Sequence, residues 1–465
     1  MLKFFRINDP YRMIFIFLIL VIIRVVWMIV GLPLSLPELK WMIIGERLGD
    51  GFTMYKDLYD HTGPLSAIVY KSLDFVFGRT RWSHIVFSTL LITIQAGIFN
   101  NILLKNKAYD ENSYLPAFFY VVFMSGVLDF FALSPQLMSL TFILLSLNYI
   151  FRRIDNVVTD ELFIYSGLYL GLASAFYLPA GIFFLIFLLS FILFSSAVPR
   201  RLVLLAYSSS VIFAIIWMYF FWFDAGMDFL NDFFVAGWSK SKIFYLSYLE
   251  LLELGAFLIG LGVLVSSVII SQRMTNYQQK MLQVMIVFFL AALILVFLSK
   301  DLMPSDMIFL IPPMTFFSVY YFLGLRRRIW RALLPYIAVI GVLIYPAFWL
   351  NNYNGDTLLV NTNDYTPGEN LMGIGVPLSV YAQYRLSGPF LDPYVSEKKL
   401  NDVDYYDEAS EIYEALQKST PDLIIDEWGV AEKLFYRFPD FGLRYRQLDA
   451  NTYVLQPTST DNSAE

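Results

Sequence analysis

The 465-residue chain has no cysteine and only two histidines, His61 and His84. No disulfide framework, thiol nucleophile or cysteine-bound zinc is available to it, and a histidine-rich metal centre is excluded as well. A divalent cation held by carboxylates stays open. Charge is sparse: Asp, Glu, Lys and Arg make up 15% of the residues against 58% hydrophobic ones, and mean hydropathy is +0.59. A water-soluble fold could not hide that much apolar surface, whereas lipid accepts it. No GxxxxGK[ST] phosphate loop occurs, so nucleotide hydrolysis by that motif is excluded. The basic clusters are small and most lie at the ends of apolar runs, a placement that membrane topology explains and that does not point to nucleic acid.

What fills the chain instead is long apolar runs. Read as bilayer spans, they predict eleven helices, at 13–31, 83–104, 114–131, 137–151, 162–178, 179–197, 202–222, 251–270, 281–299, 307–325 and 332–350. With a cytoplasmic N terminus, the inward loops hold Lys3, Arg6 and Arg12, then Lys105 and Lys107, Arg152 and Arg153, Arg200 and Arg201, Arg273 and Lys280, and Arg326, Arg327, Arg328 and Arg331. Basic residues thus mark every inward turn, which is the positive-inside pattern. The odd number of spans puts the chain after Leu350 outside. The expected architecture is a polytopic α-helical membrane protein: a transmembrane domain over 1–350, a small extracytoplasmic α/β domain over 351–457, and a disordered tail at 458–465.

Residues 351–465 carry 8 Lys+Arg against 19 Asp+Glu, net −11, which leaves +5 for the rest. This acidic, water-facing segment reads as a strand at 357–361, a helix over 404–418, a strand at 422–426 and a hairpin over 445–456.

The longest external loop runs from Leu32 to Trp82, too long for a mere connector. Amphipathic stretches over 38–48 and 65–77 predict two helices along the interface, flanking a Gly-rich turn and the polar segment YKDLYDHTGP. Glu38, Asp57, Asp60 and His61 are thereby expected near the outer membrane boundary.

These residues carry a resemblance. An acid just after the first span, a helix, the stretch from Gly51 through Tyr55, Asp57 and His61 to Gly63, Pro64 and Leu65, and a second helix ending at Phe77 and Gly78 resemble the first external loop of GT-C glycosyltransferases. That superfamily includes protein O-mannosyltransferases and aminoarabinose transferases. GLYLGLASAFYLPAGIFF (167–184), FLIPPMTFF (309–317) and the α/β tail extend the resemblance to most of the chain. It implies a polyprenyl-phosphate-linked sugar donor, Glu38 as general base or as the group that positions the acceptor, and Asp129 as the second acid, in the next external loop. Two departures stand out. The first-loop acid is usually Asp, and the basic residue often found in the 167–184 hairpin is replaced by Tyr177.

The chemistry agrees with that assignment. Inverting transfer needs a carboxylate to take the acceptor's proton and cations or strong donors on the departing phosphate. Arg24, Lys40, Arg47, Lys240, Lys242 and Lys300 are the candidate cations, and Tyr55, Asp57, Asp60 and His61 the candidate substrate contacts. Arg24 is the anomaly among them, because a mid-span Arg costs about 2.5–3.5 kcal/mol unless it faces protein or substrate. Structural roles compete throughout: Glu38 as a helix anchor, Asp57 and Asp60 as turn-capping groups, His61 as a brace for the Thr-Gly-Pro turn. The expected function is sugar transfer to a glycan, lipid or protein acceptor at the external face of a bacterial inner membrane. Two other readings stay open: a non-catalytic scaffold that binds a protein partner through the tail, and a transporter of lipid-linked substrate, which lacks support from any inverted repeat.

Overall fold

The run YRMIFIFLILVIIRVVWMIV forms the helix Tyr11–Val30, whose mean hydropathy reaches 3.1. It stops at Gly31, where a φ of 93° lets the backbone turn back so that its N–H bonds to Met28. A computed structural model describes residues 2–154, 159–195, 198–239, 245–269, 274–324, 328–353, 357–360 and 368–456. Among these, six helices are long and apolar enough to cross a membrane: Tyr11–Val30, Arg81–Lys105, Pro135–Ile154, Pro199–Trp222, Asn276–Leu298 and Pro304–Gly324. Glu161–Phe176, Leu178–Leu193 and Val339–Asn352 are shorter apolar helices, and the expected run at 251–270 lies in the helix Tyr248–Ile269. Lys240, Lys242, Arg273, Arg326, Arg327 and the tail 458–465 lie outside the described residues.

The run 114–131 is not one span. Leu115–Phe123 is helical for nine residues, the chain turns at Ser125 and Gly126, and Leu128–Phe131 forms a short 3-10 helix. Window hydropathy cannot see that break. Non-helical backbone inside an apolar bundle is tolerated where protein satisfies it, and here Arg24 takes the carbonyls of Phe130 and Phe131.

The chain divides into two compact units. The helical unit comprises Met1–Pro33, Thr80–Ile216 and Lys242–Leu358; the mixed unit comprises Leu34–Arg79, Trp217–Ser241 and Leu359–Glu465. The first loop therefore groups with the C-terminal segment, where sequence alone suggested one boundary near residue 350.

In the mixed unit, a five-stranded sheet has the order β2-β1-β3-β5-β4, with β1 Asn370–Ile374, β2 Arg385–Leu386, β3 Leu423–Asp426, β4 Tyr445–Asp449 and β5 Thr452–Leu455. β1 pairs in parallel with β2 and β3, while β3, β5 and β4 pair antiparallel. The hairpin at 445–456, the strand at 422–426 and the helix Tyr406–Gln417 agree with the sequence reading. The strand expected at 357–361 is instead a single antiparallel bridge between Leu359 and Ser35, and Asn361 lies outside the described residues.

The first-loop helices also differ from expectation. Leu36–Gly49 buries every residue from Leu36 to Leu48, including Glu38, Lys40, Glu46 and Arg47, rather than showing a wet face. Its neighbour Pro64–Phe77 comes so close that a Cβ on Gly45 would stand 2.7 Å from the carbonyl oxygen of Tyr70, while Trp41 stacks on the Tyr70 ring. Charged residues tolerate such burial only with partners.

Candidate functional site

Two buried polar clusters stand out, one in each unit. In the mixed unit, Ser35 caps the helix Leu36–Gly49 by accepting from the Glu38 amide, which places Glu38 in the first turn with 3% exposure. Two residues on, the Lys40 ammonium lies 2.6 Å from Asp60 Oδ2 and 3.9 Å from Asp392 Oδ2. His61 Nδ1 is 2.8 Å from the same Asp392 oxygen. The other oxygens are occupied by backbone: Asp60 Oδ1 accepts from the Thr62 amide at 2.7 Å, and Asp392 Oδ1 accepts from Val395, capping the helix Pro393–Asn401. Both carboxylates are fully buried.

The segment between Gly51 and Thr62 is held just as firmly. Asp57 accepts from Lys418 Nζ at 2.7 and 2.8 Å and from the Thr53 amide at 2.8 Å. Tyr55 adopts a φ of 71°, costly for a residue with a side chain, and its hydroxyl donates to the Thr62 carbonyl at 2.7 Å. Burial pushes the Tyr55 hydroxyl's pKa well up, so it stays a neutral donor. Further along the same unit, Lys399 pairs with Asp228 and Glu411 at 2.6 and 2.7 Å. Beside them, burial pushes Asp232 up to about 7, with Lys399 opposing the shift.

Asp60, His61 and Asp392 offer ligand atoms within 4.8 Å of one another, a spacing that would admit a metal ion. Lys40 already contributes positive charge within 4 Å of both carboxylates, so a divalent cation there would compete with it.

In the helical unit, Arg24 donates to Ser88 Oγ at 2.9 Å and to the carbonyls of Phe131 and Phe130 at 2.7 and 3.0 Å, with its guanidinium 4.2 Å from the centre of the Phe131 ring. It thereby holds the turn that carries Asp129, whose Oδ2 accepts from the Ser305 amide at 3.1 Å. Beside Ser305, Asp306 is fully buried and ringed by donors: Gln136 Nε2 at 3.0 Å, Tyr177 hydroxyl at 2.5 Å, Ser299 hydroxyl at 2.7 Å and the Met303 amide at 3.3 Å. Lys300 and Asp301 are buried as well.

Each unit thus gathers part of the candidate set: Glu38, Tyr55, Asp57, Asp60 and His61 in the mixed unit, Arg24, Asp129 and Lys300 in the helical one. Sequence reasoning missed Asp306, Asp392 and Lys418. An acid between a Pro-Ser pair and an apolar run could have flagged Asp306, and Asp-Pro opening a helix could have marked Asp392 as an N-cap. Nothing local could have paired residues 331 positions apart, as His61 and Asp392 are.

No family model matches the chain, and no curated protein matches it by sequence. Solved structures do match it. The crystal structure of ArnT from Cupriavidus metallidurans bound to undecaprenyl phosphate overlays on 97% of this chain and 99% of that one, with 12% identity and a TM-score of 0.57. The same protein in its apo state matches 94% of this chain and 97% of that one, with 12% identity and a TM-score of 0.55. The chain therefore shares the fold of that protein over nearly its whole length.

Proposed function

We propose that this protein is a membrane glycosyltransferase that moves a sugar from a polyprenyl-phosphate donor to a glycan, lipid or protein acceptor on the external face of a bacterial inner membrane. One observation carries the reading: nearly the whole chain overlays on a structure that holds undecaprenyl phosphate. Function does not follow from fold alone, so the residues must supply the rest.

In this reading the Glu38 carboxylate takes the proton of an acceptor hydroxyl. The hydroxyl oxygen bonds to the anomeric carbon as the bond from that carbon to the phosphate oxygen breaks, and polyprenyl phosphate departs. A single displacement inverts the anomeric centre. Asp129, held by the Ser305 amide, is the second acid, and Arg24 positions its turn. Lys300, with Lys240 and Lys242, supplies positive charge for the phosphate. Tyr55, Asp57, Asp60 and His61 shape the first-loop segment that meets substrate.

The non-catalytic scaffold draws on a different observation: Lys40, Asp60, His61 and Asp392 bond to one another without a substrate. Glu38→Gln, which keeps size and removes the base, separates the two readings. Proteoliposomes with a panel of polyprenyl-phosphate sugars and cell-envelope extract as acceptor should turn over with the wild type. The variant should lose at least a hundredfold of that rate, with its melting temperature kept. Equal turnover in both would remove Glu38 from the chemistry, and no turnover by the wild type would favour the scaffold.

A further inference from the structure

The helix Tyr406–Gln417 carries Tyr406, Ser410 and Tyr413 at a spacing of four and three residues, which sets them along one helix face. They line a cavity of about 450 Å3 whose other wall is built by Arg437, Phe438 and Asp440. The cavity floor is anchored, since Ala409 and Phe438 belong to the core of the mixed unit and the rings of Tyr413 and Phe438 lie 5.3 Å apart. The rim is open. Tyr406 is 80% exposed, and among the described residues neither Arg437 nor Asp440 has an ion-pair or hydrogen-bond partner through its side chain.

We infer that this cavity is a glycan-binding subsite for a neutral oligosaccharide. A sugar ring offers an apolar face of C–H groups and a rim of hydroxyls that both donate and accept. Flat aromatic rings match the first, and a guanidinium, a carboxylate and hydroxyls within one pocket match the second. The volume falls within the range of small-molecule sites, about 300–1,000 Å3. Charge argues against polyanions: the segment 351–465 is net −11, and Asp440 puts a carboxylate in the pocket itself. Nucleic acid and anionic lipid head groups would be repelled at such a surface. Calling the bound glycan the acceptor rests on the glycosyl-transfer reading; binding itself does not.

The test uses the full chain in detergent, applied to an array of defined neutral and anionic oligosaccharides, with the best ligand then titrated by saturation-transfer NMR. Tyr406→Ala and Arg437→Ala alter exposed residues, so both variants should fold. The wild type should bind at least one neutral glycan, and Tyr406→Ala should weaken that binding about tenfold or more. Glu38→Gln should bind as the wild type does, and Tyr406→Ala should leave hydrolysis of the donor by water unchanged. No glycan bound, binding indifferent to Tyr406, or a Tyr406-dependent preference for anionic glycans would each overturn the assignment. Glycan binding without donor turnover would keep the subsite and sink the transfer reading; turnover without Tyr406-dependent binding would do the reverse.

Discussion

The two buried polar clusters solve one problem in two ways. In the helical unit, the Asp306 carboxylate is surrounded by neutral donors from Gln136, Tyr177, Ser299 and the Met303 amide. In the mixed unit, Asp60 and Asp392 are held by a lysine and a histidine, with backbone amides on their second oxygens. The Asp306 carboxylate is therefore carried by dipoles. The first loop is rich in charge, so its acids are carried by ions. The lesson is that burial alone does not mark a catalytic group here; what surrounds the carboxylate decides what it can do.

The largest effect should come from Asp306→Ala. It removes an acceptor shared by four donors, a loss of about 4 kcal/mol or more if each costs about 1–3 kcal/mol. A thermal melt of the purified protein should show this as outright failure to fold or a collapsed transition, while Asp306→Asn, which can still accept, should be milder. A mild Asp306→Ala would mean that water replaces the carboxylate easily.

Lys40→Met comes next. It leaves Asp60 and Asp392 buried without their lysine, and breaking a buried pair costs about 3–5 kcal/mol. Adding Asp60→Asn in the same chain should recover part of the loss, and the double-mutant cycle measures the coupling. Independent, additive losses would contradict an ion network in the first loop.

Asp232 sharpens the comparison through pH. Burial raises its native pKa from the usual carboxylate range to about 7, so the native state binds its proton more tightly than the unfolded state does. The stability this contributes is fully present below about 4 and is lost as pH rises through about 7. Asp232→Asn should therefore nearly match the wild type at pH 4 and melt higher at pH 8, by an amount bounded at about 4 kcal/mol. An identical difference at both pH values would contradict the burial argument.

The smallest effect should be Lys418→Ala. Lys418 is 45% exposed where Lys40 is 5% exposed, although both bond to fully buried aspartates. Water can reach Asp57's partner, and the Thr53 amide remains, so the loss should be about 1 kcal/mol. A loss equal to that of Lys40→Met would show that exposure does not separate the two pairs.

Much of the helical layout was legible in the sequence because apolar runs such as 13–31, 202–222 and 281–299 are long enough to be helices that cross lipid. The hairpin at 445–456 was legible from its alternation. The break at Ser125 and Gly126 was not, and the partners of the short helix beyond it, Arg24 and the Ser305 amide, lie more than a hundred residues away in sequence. Nor was the burial of Leu36–Gly49: its polar residues imply a wet face only until their partners are known, and Asp392 sits more than three hundred residues away. Of the candidate site, residue types and segments could be named from the first loop. The neighbours that constrain those residues come from the fold.

Whether this fold handles a polyprenyl-phosphate-linked sugar can be read from the lipid that travels with the protein. Gentle purification of the wild type, Glu38→Gln and Arg24→Ala, followed by mass spectrometry of the extracted lipid, gives the answer in one experiment. A polyprenyl phosphate or its glycosylated form should accompany the wild type, be retained in Glu38→Gln and be depleted in Arg24→Ala as the Asp129 turn loosens. Bulk phospholipid alone in all three preparations would contradict that expectation.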